Sequence, residues 1–160
     1  MLWMLLAAGA QAAEPRAMNG RWLLDPDQSG ELVPFMKAIG VPWIERQAGK
    51  NATPEHTITV AEDHSTVRIR TVGLGKEKLE AFSVNGQRQP TKARGFETAS
   101  HEWSDMGVLV SQMWGTRSDG AKLAAVVERH VTDDGTLRFA IALTVDGGSP
   151  MKVERVYVKQ

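Results

Sequence analysis

The 160-residue chain contains no cysteine. Disulfides, thiol nucleophiles and thiolate metal sites are therefore excluded. It also lacks an excess of either charge, since 19 lysines and arginines face 19 acids. No net field exists to hold nucleic acid or an anionic membrane, so a nucleic-acid partner is not expected and any partner must be recognised by local chemistry. No apolar run reaches the length of a membrane-spanning helix. Repeats, low-complexity tracts and interdomain linkers are also missing. A chain of this length suits one domain, because two halves would each struggle to bury a core.

The one apolar run lies at the start. Met1 to Ala12 ends in Ala10-Gln11-Ala12, the small-x-small pattern that precedes signal-peptide cleavage, although no basic residue opens it. The expectation is a signal peptide over 1–12, a mature domain over 13–160 and export to a periplasm or a secretory route. A cytoplasmic location follows if the segment is not a signal.

From Gly20 onward, short alternating or β-branched runs recur between turn signals, the pattern of an antiparallel sandwich or barrel. Strands are predicted at 20–25, 56–62, 66–72, 79–84, 94–102, 108–115, 122–131, 136–145 and 150–158. Asn85-Gly86, Asp105-Met106-Gly107, Asp119-Gly120, Asp133-Asp134-Gly135 and Asp146-Gly147-Gly148 supply residues that tolerate the positive φ of tight hairpins. One segment differs: Leu32, Phe35, Met36, Ile39 and Trp43 recur at helical spacing, and Gly40-Val41-Pro42 interrupts them. Two short helices are predicted there, the first beginning near Pro34, because proline is tolerated only in a first turn.

Alternation sorts two strands into informative faces. Met151, Val153, Arg155 and Tyr157 share one side of the last strand, and Arg129 falls with Ala125, Val127 and Val131 on an earlier one. Two arginines thus point toward an apolar interior. A guanidinium removed from water costs several kcal/mol unless it is paired and hydrogen-bonded, so the pair needs anions or water. The alternatives are that either arginine reaches a barrel rim or pairs with an internal acid.

Collinear motifs sharpen this. Gly20-Arg21-Trp22-Leu23-Leu24 is followed by Phe35 to Val41 and Arg46-Gln47-Ala48-Gly49, then by Pro54 to Val60, Gly107 to Trp114, Val126-Val127-Glu128-Arg129 and a terminal Arg155-Val156-Tyr157. In that order the chain resembles the intracellular fatty-acid-binding protein family, a calycin-type group, over nearly its whole length after Asn19. The resemblance implies an all-β, ten-stranded antiparallel up-and-down barrel with a two-helix lid, in which an acyl chain lies inside a cavity. It implies Arg155 and Tyr157 as carboxylate ligands, with Arg129 as the further arginine. Leu32, Phe35, Met36, Val41 and Trp43 match lid positions at the cavity or its portal, or form the apolar face of a docked helix. Arginine would bring a planar fork for two carboxylate oxygens and tyrosine an oriented hydroxyl. Trp22 matches a core position under the barrel floor.

The function implied is carriage of a hydrophobic carboxylate, a long-chain fatty acid, by a monomer without a cofactor and without catalysis, with transient membrane contact through the lid. The Gly-x-Trp opening also fits lipocalins, which keeps a carrier of another hydrophobic compound as the alternative. A haem-dependent barrel enzyme is the second alternative. His56, His64, His101 and His130 show no metal-ligand spacing, and His101-Glu102 lacks the second histidine of a zinc-protease helix.

Overall fold

A computed structural model describes residues 14–160. The expected signal segment and Ala13 lie outside the described residues. A 3-10 turn (Pro15–Met18) leads into β1 (Gly20–Leu24), followed by α1 (Val33–Ala38) and α2 (Trp43–Lys50). The rest is strand: β2 (Glu55–Val60), β3 (Thr66–Gly73), β4 (Lys76–Ser83), β5 (Gln89–Pro90), β6 (Thr98–Trp103), β7 (Leu109–Thr116), β8 (Lys122–Val131), β9 (Leu137–Val145) and β10 (Met151–Lys159). The architecture is thus all-β with a two-helix insertion, and its ten strands form one antiparallel sheet in the order β4-β3-β2-β1-β10-β9-β8-β7-β6-β5.

The sheet curls until its edges meet. β4 and β5 share no backbone pairing, yet the Gln89 amide bridges them, accepting from Ser83 N at 3.2 Å and donating to Ser83 O at 2.9 Å. Phe82 of β4 also stacks on His101 of β6 with ring centroids 3.8 Å apart. Side chains thus close a barrel that backbone hydrogen bonds leave open on one side.

The turn signals work as their chemistry requires. Asp146 and Gly147 carry φ of 50° and 69°, the double left-handed geometry of a two-residue hairpin. The tenth strand escaped prediction because β5 is two residues long and ends in Pro90, which has no N–H to donate. The expected strand over 94–102 begins only at Thr98, because Gly95 at φ 88° turns the chain and Phe96 N bonds back to Ala93 O at 3.0 Å. Gly115 has a separate role: a Cβ there would sit 2.2 Å from Gly95 O, so only glycine lets β7 pass this turn.

The interior has two levels. At the floor, Met18, Trp22, Ile58, Val67, Leu109 and Leu137 are 0–2 % exposed, and the Trp22 indole donates to Met18 O at 2.8 Å. Trp22 is therefore the floor residue the resemblance implied. The second cluster, around Phe96, Ala99, Met113, Leu123 and Leu143, takes the lid residues Phe35, Ala38 and Ile39 against it.

Proline at the first turn of α1 suits a helix start, where its missing N–H is no loss. Neither helix contains a buried residue. The lid is instead tied down at its ends. Arg117 donates to Ala38 O at 2.7 Å and Arg94 pairs with Glu45 of α2, while the bond from Arg46 to Val41 O at 2.6 Å lies within the lid.

Candidate functional site

Between the lid and the floor the barrel encloses a cavity of about 820 Å³. Phe35, Met36 and Ile39 roof it, while Phe96, Met113, Val127, Phe139 and Ile141 supply apolar wall. Charge is concentrated on it: Lys76, Lys78, Lys92, Arg94 and Arg129 line it against only Glu45 and Glu80, in a chain of zero formal net charge. An apolar tunnel with a cationic excess is matched to an apolar anion.

The polar heart of the cavity lies on three adjacent strands. Leu109, Ser111 and Met113 alternate inward on β7, and Ala125, Val127 and Arg129 do so on β8, so Ser111 and Arg129 emerge among apolar neighbours. Arg129 Nη1 donates to Ser111 Oγ at 3.1 Å, and Ser111 Oγ lies 2.7 Å from His101 Nδ1 on β6. The serine oxygen keeps a second lone pair and its proton, so its bond to His101 Nδ1 runs in either direction with the imidazole tautomer. Arg129 is the fixed donor of this chain, and all three residues line the cavity.

Arg129 is underused by the protein. The residue is part-buried, its Nε is shielded from solvent and has no hydrogen-bond partner, and its Cζ lies 4.7 Å from the Phe139 ring centroid. Burial pushes its pKa down, while Glu80 and Tyr157 oppose that shift. An unpaired buried guanidinium is costly to the fold and attractive to an anion. Burial, reinforced by the Arg129 charge, lowers His101 to about 4, so it is neutral at pH 7.

Arg155 and Tyr157 are placed differently from Arg129. Register puts Arg129, Phe139 and Arg155 level on β8, β9 and β10, with the phenyl ring between the two guanidinium-bearing positions. Arg155 donates to Gly30 O at 2.7 Å and lines a separate recess of about 380 Å³ shared with Leu24, Ser29 and Leu32. Tyr157 is 4 % exposed and packs on Phe139 and His56, its hydroxyl pKa raised by burial. Neither residue lines the large cavity. The structure thus brings Arg129 to the cavity and leaves the terminal Arg-x-Tyr pair behind Phe139.

The lid residues also divide. Leu32, Phe35, Met36 and Val41 line the cavity, whereas Trp43 points away with 65 % exposure. Sequence reading missed His101, Ser111 and Glu80. The signal was available for the first two, since each is a polar residue in register with apolar ones on an alternating strand, as the arginines are. Leu74 was hidden in a turn: with φ of 51° and 61 % exposure, it stands at the cavity mouth beside Leu79.

No known family profile matches the chain, and no curated protein matches it in sequence. Solved structures do. Lipid binding protein 8 of Caenorhabditis elegans superposes with a TM-score of 0.72 over 92 % of this chain and 99 % of its own, at 18 % identity. The fatty acid binding protein of Schistosoma mansoni, in complex with arachidonic acid, gives 0.68 over 90 % and 96 %, at 20 % identity. Fatty-acid-binding protein 1 of Echinococcus granulosus gives 0.66 over 89 % and 97 %, at 18 % identity. The chain therefore has the fold of the lipid-binding β-barrels. More narrowly, it has a ten-stranded form with two short helices, and the three solved chains are matched almost end to end.

Proposed function

We propose that this protein binds and carries a long-chain fatty acid, with the acyl chain in the 820 Å³ cavity and the carboxylate at Arg129. The observation that carries the reading is the part-buried Arg129 guanidinium, with a shielded and unsatisfied Nε, at the polar end of an apolar cavity. Affinity comes mostly from the chain, at about 0.8 kcal/mol per buried methylene before ordering costs. The head group fixes orientation and class. Arg155 and Tyr157 support the site from behind Phe139, holding positive charge and a hydroxyl within one strand of it.

The protein is a carrier and not a catalyst in this reading, and acts as a monomer. Trp43 and Ile44, 65 % and 71 % exposed in the first turn of α2, give it an apolar contact for transient membrane docking beside the mouth. Export rests on Ala10-Gln11-Ala12. N-terminal sequencing of exported material should begin at Ala13, and recovery of intact Met1 from a soluble cytosolic fraction would remove the export proposal. Displacement of a fluorescent fatty acid by hexadecanoate tests the ligand class, with hexadecanol as the weaker competitor expected from a cationic head site. Failure of both to displace, with no lipid released on solvent extraction of the purified protein, would end the carrier reading.

A further inference from the structure

The cations that line the cavity outnumber the acids that could neutralise them. Lys78 is matched by Glu80, 2.7 Å away, and Arg94 by Glu45 of α2. Lys76, Lys92 and Arg129 line the same cavity and enter no ion pair among the described residues. Lys76 reaches an acid only at longer range: the Glu45 carboxyl is held below its ordinary range first by the Arg94 hydrogen bond, and then by the Arg94 and Lys76 charges. That places Lys76 beside the lid.

The three unmatched cations lie at opposite ends of the cavity. Arg129 is level with the floor residue Leu109, and the Ser111–His101 chain carries it to Phe82, which packs on the floor cluster. Lys76 opens β4, six residues from Phe82, or about 20 Å at the rise of a strand. Lys92 is two residues from Arg94, which itself reaches α2 through Glu45. Between the ends the wall is apolar, with Met36, Ile39, Met113 and Ile141. A carboxylate at Arg129 therefore leaves the far end of its acyl chain at a rim that holds two exposed ammonium groups. A methyl end gains nothing from them, whereas an anionic end does.

We infer that the preferred ligand is a long-chain dicarboxylate, with one carboxylate at Arg129 and the other at the rim with Lys76 and Lys92. This rests on the fatty-acid reading and narrows it to chains with an anion at each end. The residue types suit the two ends. Arginine's rigid fork fixes the carboxylate at the floor, and lysine's point charge on a flexible stem follows a chain end whose position varies with length. Because the rim is exposed, its ion pairs are weak and salt-sensitive, and they set a preference and not the bulk of the affinity.

Displacement of a fluorescent fatty acid from the full chain tests this with hexadecanedioic acid, its monomethyl ester and hexadecanoic acid. The ester keeps one carboxylate and neutralises the other end, so the ratio of diacid to ester affinity isolates the rim and cancels any loss that both ligands share. At an ionic strength on the order of 0.01 M the diacid should bind about fivefold tighter, as two exposed ion pairs allow, and at about 1 M the ratio should fall to unity or below. The double variant Lys76→Gln, Lys92→Gln should abolish the ratio, and Lys76→Glu with Lys92→Glu should reverse it in favour of the ester. A ratio of one or less for the unaltered protein at low salt, or a preference that survives the double glutamine substitution, overturns the inference, and displacement by hexadecanoic acid then leaves the carrier reading intact. No displacement by any of the three removes both.

Discussion

The two ends of the barrel are built on opposite terms. At the floor, Trp22, Met18, Ile58, Val67, Leu109 and Leu137 are almost wholly buried, and the one polar atom of Trp22 is satisfied by Met18 O. At the mouth, both helices lack a buried residue, Leu74 holds a left-handed backbone at the surface, and Trp43, Ile44 and Leu79 face outward. Stability is thus concentrated where no ligand passes, and the mouth is held by a few polar ties that need not break the core to yield. Entry through the mouth is then a local event with a small cost relative to global unfolding.

The largest effect should come from the floor. Trp22→Ala removes a side chain that is 1 % exposed, and at about 3–5 kcal/mol it should take much of the stability of a marginal domain. Urea denaturation followed by circular dichroism measures it. A loss below 1 kcal/mol would mean the floor is not where the fold is anchored, and the contrast between the ends would lapse.

The next effect belongs to the polar middle. Burial, aided by Arg129 and in one case Arg155, lowers His56 and His101 from 6.5 to about 4. Above pH 6.5 neither folded nor unfolded chain holds these protons, so the histidines contribute no pH dependence. Between 6.5 and 4 the unfolded chain takes up protons that the folded one refuses, and stability falls as pH falls. The loss approaches about 3 kcal/mol per histidine near pH 4. The depressed carboxylates Asp119 and Asp134, at about 2, add their own loss only at lower pH. Urea midpoints at pH 7, 5.5 and 4.5 should decline, and His101→Gln should flatten part of the slope. A constant midpoint across that range would show that the two imidazoles are protonated as readily in the fold as in water.

Arg129 and Arg155 sharpen the comparison further, since they stand level on two strands with Phe139 between them but only Arg129 lines the cavity. Arg129→Gln should weaken hexadecanoate binding by roughly 1.5–3 kcal/mol, the range for a hydrogen bond to a charged group, and hexadecanol by less. Ligand-free stability should hold or rise, because a buried guanidinium without its anion is lost. Arg155→Gln should cost less affinity, as its donor is already engaged by Gly30 O. Titration calorimetry of both variants decides the order, and a larger loss for Arg155 would transfer the head-group role to the terminal Arg-x-Tyr.

These contrasts also mark what the sequence discloses. Alternation finds inward arginines because a strand's period is fixed at two, and Asp-Gly turns locate hairpins because few residues accept positive φ. It does not disclose which of two level arginines faces the open cavity, since that depends on Phe139 and on the 25–30 segment crossing to β10. Glu80 was illegible for another reason: β4 is an edge strand on which Leu79 and Ala81 alternate with Lys78 and Glu80, so alternation points to the wrong face. The lid helices were read correctly from their spacing, but Trp43, the first residue of α2, follows the Gly40-Val41-Pro42 break. The break starts a new helical phase, and the apolar stripe of α1 does not continue through it.

The smallest effect on the fold, and the most diagnostic for the mouth, is therefore expected at Trp43 and Ile44. Both are more than 60 % exposed, so replacing them with alanine should change stability by no more than about 0.5 kcal/mol. Exposed apolar neighbours on a lid are a contact surface in search of an apolar partner, and a bilayer supplies one. The Trp43→Ala, Ile44→Ala pair should leave hexadecanoate affinity unchanged, because Trp43 does not line the cavity. It should lower co-sedimentation with phosphatidylcholine vesicles and slow the transfer of a fluorescent fatty acid to them. Transfer that depends on vesicle concentration in the unaltered protein, and not in the double variant, would place the delivery step at this helix turn. If transfer is independent of vesicle concentration in both, the fatty acid leaves through water, and Trp43 and Ile44 serve no membrane contact.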